Sequence, residues 1–184
     1  KILPMTDDKF ETKIVTPRGI MHFQEYLVKR KAQGEVIGVL FEGAKEAKPA
    51  PGVVDSILNA EAVVICPSNP IVSIGTILSL EGIRKALEET KAKVAAVSPI
   101  VGGSPVKGPA DKLMRGLGLD VSAYAVADLY RDFLDAFVID KVDRTEKEHI
   151  ERLGLQVIVT DSIMRSLENK VRLARVTLES VGVR

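Results

Sequence analysis

Four short runs constrain the fold most: "EAVVIC" (61–66), "KVAAVSPIV" (93–101), "AFVIDK" (136–141) and "LQVIVT" (155–160). Each is continuously apolar rather than alternating, so each reads as a strand buried on both faces. Between them lie stretches whose apolar residues recur at helical spacing. Strands of this kind, alternating with helices, predict a mostly parallel sheet covered on both sides. The expected fold is therefore α/β: a three-layer αβα, Rossmann-like arrangement with a mostly parallel sheet. The turn-rich beginning adds a small hairpin-rich edge or cap region. At 184 residues the chain suits one α/β domain over 1–184.

Local signals set the boundaries of the other elements. "KILPM" reads as the tail of a strand. "FETKIVTPRGIMHF" holds two extended runs around a turn at Thr16-Pro17-Arg18-Gly19. "HFQEYLVKRKA" predicts a short amphipathic helix with Phe23 and Leu27 inward and Val28 as a further candidate. Ser79 is the expected N-cap of "LEGIRKALEET", and Ser122 that of "SAYAVADLYRDFL". Thr145 and Glu148 have the spacing of a capping box. The last helix places Ile163, Leu167, Val171, Ala174, Leu178 and Val181 on one apolar face.

Composition narrows the function. Lys plus Arg number 26 against 25 for Asp plus Glu, which offers no electrostatic case for nucleic acid or a membrane surface. Aromatics make up 4% and there is no Trp, so base-stacking platforms are not expected. The single cysteine, Cys66, excludes an internal disulfide and fits a reducing cytoplasm. Its position at a strand end suggests a small buried residue rather than a nucleophile.

In open parallel α/β sheets, ligands bind beyond the carboxyl ends of the strands. Five segments are candidates for that rim: Thr6-Asp7-Asp8, Pro67-Ser68-Asn69-Pro70, the loop from Ser98 through Gly102-Gly103 to Lys107, the segment Lys141 to Arg144, and Asp161-Ser162. Pro67 and Pro70 stiffen the backbone on either side of Ser68 and Asn69 and so present a hydroxyl and an amide at low entropic cost. That suits a planar heterocycle or a phosphate ester; a helix-capping turn accounts for the same residues. Gly75 would admit a close backbone or ligand. Gly102 and Gly103 could expose N–H groups and Lys107 could meet a phosphate, but a plain long loop reads equally well, and the spacing is not that of a Walker loop. Asp7 and Asp8 could hold Mg²⁺ or take a proton, or cap a turn. His22 is an outside candidate, whereas His149 sits on a charged helix and reads as solvated.

Taken together, "LPMTDD", "GIMHFQEYLV", "PSNPIVSIGTILSLEGIRKAL", "VAAVSPIVGGSPVKGPADKLM" and "YRDFLDAFVID" resemble the 2-phospho-L-lactate transferase (CofD) family. The resemblance runs in order from Leu3 to about Leu167 and is that of the C-terminal portion of a longer CofD-like protein. It implies transfer of a phospholactyl or phosphoenolpyruvyl group from a guanosine diphosphate-linked donor to the deazaflavin Fo, with release of GMP, in coenzyme F-420 biosynthesis. It further implies Mg²⁺, a homodimer, Asp7 and Asp8 as catalytic residues, and no identified metal ligands. Substrate contacts are carried over to Thr6, His22, Ser68, Asn69, Pro70, Ser98, Gly102, Gly103 and Lys107. The alternative is a non-catalytic regulatory protein of the related gluconeogenesis-factor branch that binds nucleotide-sugars. That branch has a Gly-Pro-Gly-Ser-like loop where this chain has "CPSNPIVSIG", which favours the transferase.

Overall fold

A computed structural model describes residues 1–183. Nine strands follow in chain order: β1 Glu11–Thr16, β2 Gly19–His22, β3 Gly38–Glu42, β4 Ala62–Ile65, β5 Lys93–Val97, β6 Ile100–Val101, β7 Ser104–Pro105, β8 Ala136–Asp140 and β9 Gln156–Thr160. The α-helices are α1 Val53–Leu58, α2 Thr76–Leu78, α3 Ile83–Glu89, α4 Ala110–Gly116, α5 Ala123–Tyr130, α6 Lys147–Glu151 and α7 Leu167–Ser180. The four apolar runs form one parallel sheet in the order β4-β5-β8-β9. The opening segment forms a separate antiparallel sheet, β2-β1-β3, which is the expected cap. Thr16 Oγ accepts the Arg18 N–H within the β1–β2 turn.

Alternation along the central strands divides the core into two layers. Val94 and Ala96 of β5, with Phe137 and Ile139 of β8, face a large cluster containing Ile83, Leu113, Val126 and Ile150 from α3 to α6. Ala95, Val97, Ala136 and Val138 face the other way, onto Leu173 and Val181 of the α7 segment. Only the central pair is buried along nearly its full length. β4 and β9 form the edges, and Val64 is 38% exposed, so "EAVVIC" is a half-covered edge strand rather than a fully buried one. Cys66, one residue beyond β4, is exposed rather than the buried residue its surroundings suggested.

Several local expectations are corrected. Residues 1–5 form no strand; the Met5 carbonyl instead accepts the Ala50 N–H. The first helix is a π-helical turn, Glu25–Lys29, whose wider winding turns Tyr26 fully inward and leaves Val28 69% exposed. Helix α3 starts after Gly82, which has φ +94°, and Ser79 ends α2 instead of capping α3. Thr145 and Glu148 form no capping box, because Lys141–Glu146 winds as a 3₁₀ helix and the Glu146 carboxylate accepts the Tyr124 N–H. Ser122 does cap α5, accepting the Ala125 N–H. In α7 the buried stripe is Leu173, Thr177 and Val181, while Leu167, Val171 and Leu178 face solvent. The narrow sheet covers only one stripe of that helix, so its more apolar side is left open.

The cap is pinned to the main body at named points. Lys112 Nζ donates to the Ala32 carbonyl at 2.6 Å, and the Thr12 and Thr76 hydroxyls are 3.2 Å apart. Gly116, at the end of α4, lies against the cap backbone: a Cβ there would sit 2.8 Å from the Val36 carbonyl carbon. Gly116→Ala is therefore expected to destabilise the chain by about 2 kcal/mol despite the better helix propensity of Ala, since the obstacle is backbone and cannot rotate away. A urea unfolding curve checks this; unchanged stability would mean that the cap slides freely on α4.

Candidate functional site

Because β4, β5, β8 and β9 run parallel, the loops after them share one rim. A cavity of about 840 Å³ opens there. Its polar wall is made by Ser68, Asn69, Ser73, Ser98, Lys107, Ser162 and Lys170, and its apolar wall includes Phe23 and Leu27 from the cap, Val106, and Met164. The cap thus roofs the strand ends. Among the described residues, none of those around the cavity carries a carboxylate side chain.

The proline-bracketed loop is the helix-capping turn that its sequence allowed, and it also borders the cavity. Asn69 Oδ1 accepts the N–H groups of Ile71 (2.9 Å) and Val72 (3.2 Å) and so caps the π-helix Pro70–Gly75. Two N–H donors require an oxygen between them, so the amide nitrogen is left as the free end of the side chain. Pro70 is buried at the first position of that helix. The close approach at Gly75 is explained by backbone: a Cβ there would lie 2.8 Å from the Pro70 carbonyl oxygen.

Ser98 floors the cavity with its hydroxyl already used, donating to the Ile100 carbonyl and accepting the Ile100 N–H. The glycine loop divides. Gly102 and Gly103, at φ +58° and +73°, turn the β6–β7 hairpin, and the Gly102 N–H is taken by both carboxylate oxygens of Asp143 (2.9 and 3.1 Å). That N–H is therefore not available to a phosphate. Lys107, Gly108 and Pro109 further along do border the cavity. Lys107 and Lys170 form no ion pair among the described residues, so two unpaired lysines border the space.

The end of β8 acts from behind. Asp140, 2% exposed, accepts the Val142 N–H at one oxygen and the Ser162 N–H (2.8 Å) and hydroxyl (3.1 Å) at the other. Burial pushes its carboxyl upward, but these donors outweigh that and hold it below the ordinary carboxylate value. Asp143, 5% exposed, is pushed up by burial, with only the Gly102 N–H opposing. The two carboxylates thus anchor the loops on either side of β8.

Thr6, Asp7 and Asp8 do not join this cavity. Thr6 donates to the Lys48 carbonyl and Asp8 accepts the Lys48 N–H (2.8 Å), fastening the opening segment to the loop after β3. His22 is exposed on β2 and its Nδ1 accepts the Gln24 N–H; its neighbour Phe23 is the residue that reaches the cavity. Among the described residues no group of three His, Cys, Asp or Glu side chains could hold a metal. Sequence reasoning put Asp161-Ser162 on the rim without assigning Ser162 a role, and it missed Lys170, whose only signal is that it lies one turn into the helix after the last strand. Exposed His149 stacks on Tyr124 at 3.8 Å.

The family model for "2-phospho-L-lactate transferase CofD" matches residues 1–177. The chain belongs to the CofD family. It is 45% identical over 179 residues to the 2-phospho-L-lactate transferase of Methanosarcina mazei, covering 97% of this chain and 58% of that protein. The Methanocaldococcus jannaschii protein of the same name is 45% identical over 186 residues, with 99% and 58% covered. A phosphoenolpyruvate transferase of Streptomyces griseus is 41% identical over 184 residues, with 97% and 58% covered. The chain therefore spans 58% of the length of these relatives. Two crystal structures of a Bacillus halodurans protein share the fold, with TM-scores of 0.66 and 0.63 at 16% and 18% identity. They cover 97% and 96% of this chain and 61% of the solved one, and one is described as a member of the upf0052 family.

Proposed function

We propose that this CofD-family chain carries part of the site of a transferase that moves a phospholactyl or phosphoenolpyruvyl group from a guanosine diphosphate-linked donor to the deazaflavin Fo. The observation that carries the reading is the rim cavity, where the Asn69 amide, Lys107 and Lys170 converge without a carboxylate among the residues around it. That donor set suits phosphoryl oxygens, and phosphoryl transfer asks mainly for positioning and charge balance. The names of the relatives supply the two candidate three-carbon acids.

In this reading an Fo hydroxyl oxygen forms a bond to the phosphorus that bears the three-carbon acid. The bond from that phosphorus to the bridging oxygen breaks, GMP leaves with the electron pair, and the hydroxyl proton passes to solvent. Lys107 and Lys170 offset charge on the phosphoryl oxygens, the Asn69 amide orients one of them, and Phe23, Val106 and Met164 receive a flat ring. The Mg²⁺ requirement implied by the resemblance does not fit a centre made by the described residues, which bring no carboxylate to the cavity. A homodimer belongs to the same proposal and is checked by sedimentation.

A fluorescence titration of Fo into the chain, with and without GDP and Mg²⁺, tests the reading. Saturable binding is expected. No binding, either to this chain or to one extended to the length of its relatives, overturns it and favours a nucleotide-sugar-binding regulator.

A further inference from the structure

Ser162, one residue past the Asp161 that follows β9, borders the cavity although the residue is only 7% exposed. Its N–H and its hydroxyl both reach the same carboxylate oxygen of Asp140. An ionised carboxylate only accepts, so the one hydroxyl proton of Ser162 is committed to Asp140. What the Ser162 Oγ can still offer to the cavity that the residue borders is lone pairs alone. Of the polar groups around it, the Asn69 amide nitrogen and the ammonium groups of Lys107 and Lys170 only donate, while the Ser68 and Ser73 hydroxyls can do either. A ligand filling this space must bring acceptors to Asn69 and the two lysines and a donor to Ser162. A fully ionised phosphate brings acceptors only. An ammonium brings donors only and is repelled by the two lysines. A hydroxyl donates and accepts at once, so a hydroxyl chain can serve Ser162 while phosphoryl oxygens meet Asn69 and the lysines.

We infer that Ser162, held in place by Asp140, is a specificity-determining acceptor for a hydroxyl on a polyol chain of the substrate. The inference rests on the transferase reading, in which that chain is the ribityl side chain of Fo. Asp140 is a positioning residue in this arrangement, since it touches Ser162 and not the substrate.

The test is a binding cycle with two ligands and two proteins. Fo and a deazaflavin of the same ring carrying a plain pentyl chain are titrated by fluorescence into the wild-type chain and into Ser162→Ala. Fo binding is expected to weaken roughly tenfold in Ser162→Ala, as for a lost hydrogen bond to a polar group, while the pentyl analogue binds both proteins alike. Ser162→Thr, which keeps the hydroxyl, should recover Fo affinity. If the Ala variant does not fold, Ser162→Cys replaces the oxygen by a poor acceptor of similar size and should show the same discrimination. Equal losses for both ligands, or no loss for either, would overturn the role of Ser162 and leave the transferase reading standing. Absence of Fo binding by wild type at any length of chain removes that reading and this inference with it.

Discussion

Asn69→Asp is expected to weaken binding of Fo together with GDP by on the order of a hundredfold, with little change in folding stability. The two effects separate because the two ends of the Asn69 side chain do different jobs. Its oxygen caps the π-helix through the Ile71 and Val72 N–H groups, and Asp caps as well as Asn does. Its nitrogen is the end left for the cavity, and Asp replaces that donor by a second, negative oxygen. A carboxylate would then face the phosphoryl oxygens between two lysines, which it would also neutralise. Asn69→Ala should behave in the opposite sense, losing about 1 kcal/mol of stability with the cap and suffering the smaller loss in binding. Thermal melts and fluorescence titrations on both variants decide the matter. Binding retained by Asn69→Asp would mean that Asn69 serves the helix alone.

The second large effect is expected at Asp140. Asp140→Ala should cost about 2 kcal/mol at neutral pH, because the buried Ser162 N–H and hydroxyl lose their acceptor, together with the part-buried Val142 N–H. The pH dependence has a definite sign. The folded-state value of Asp140 is depressed, so its stabilisation is complete above the ordinary carboxylate value of 3.8 and is lost as pH falls below that value through the folded one. The gap between wild type and Asp140→Ala should therefore narrow in acid. Asp143 has the reverse sign. Its folded value is raised, so its contribution is present below 3.8 and is lost as pH rises through the folded value. Asp143→Asn, which keeps an oxygen for the Gly102 N–H, should be no less stable than wild type at neutral pH. Urea unfolding curves across the acid range check both; parallel curves for wild type and Asp140→Ala would show that Asp140 is not ionised in its anchoring role.

Both predictions turn on residues that differ in how visible they are in the chain. Asn69 stands between two prolines at the end of an apolar run, and that context alone marks it as cap or ligand contact. Asp140 is simply the last letter of "AFVID". Nothing local shows that its carboxylate reaches across to the loop after β9, 22 positions away. The glycine pair has the opposite history. Gly102-Gly103 looks like a phosphate loop in sequence, but Asp143, 41 positions on, occupies the N–H that a phosphate would need.

The helices show the same division. Ser122 acts locally, as a cap, because the N–H that it satisfies lies within a turn of it. The orientation of α7 was not readable, since its apolar residues outnumber what the narrow sheet can cover. The sheet takes Leu173, Thr177 and Val181 and leaves Leu167, Val171 and Leu178 in solvent. Tyr26 was missed for a related reason: a π-turn advances by more residues per turn than the helical spacing assumed.

The sequence by itself determined the α/β class, the four strands of the parallel sheet, the β1–β2 hairpin and the proline-bracketed loop, because backbone period, proline and glycine act through neighbours in the chain. Tertiary structure alone decided that Asp140 and Asp143 are anchors, that Thr6-Asp7-Asp8 clasps Lys48 rather than joining the cavity, that Ser162 bonds Asp140, and that Lys170 borders the cavity. Those assignments depend on hydrogen bonds and charges brought together from distant segments, and only packing of the sheet and cap sets which groups meet.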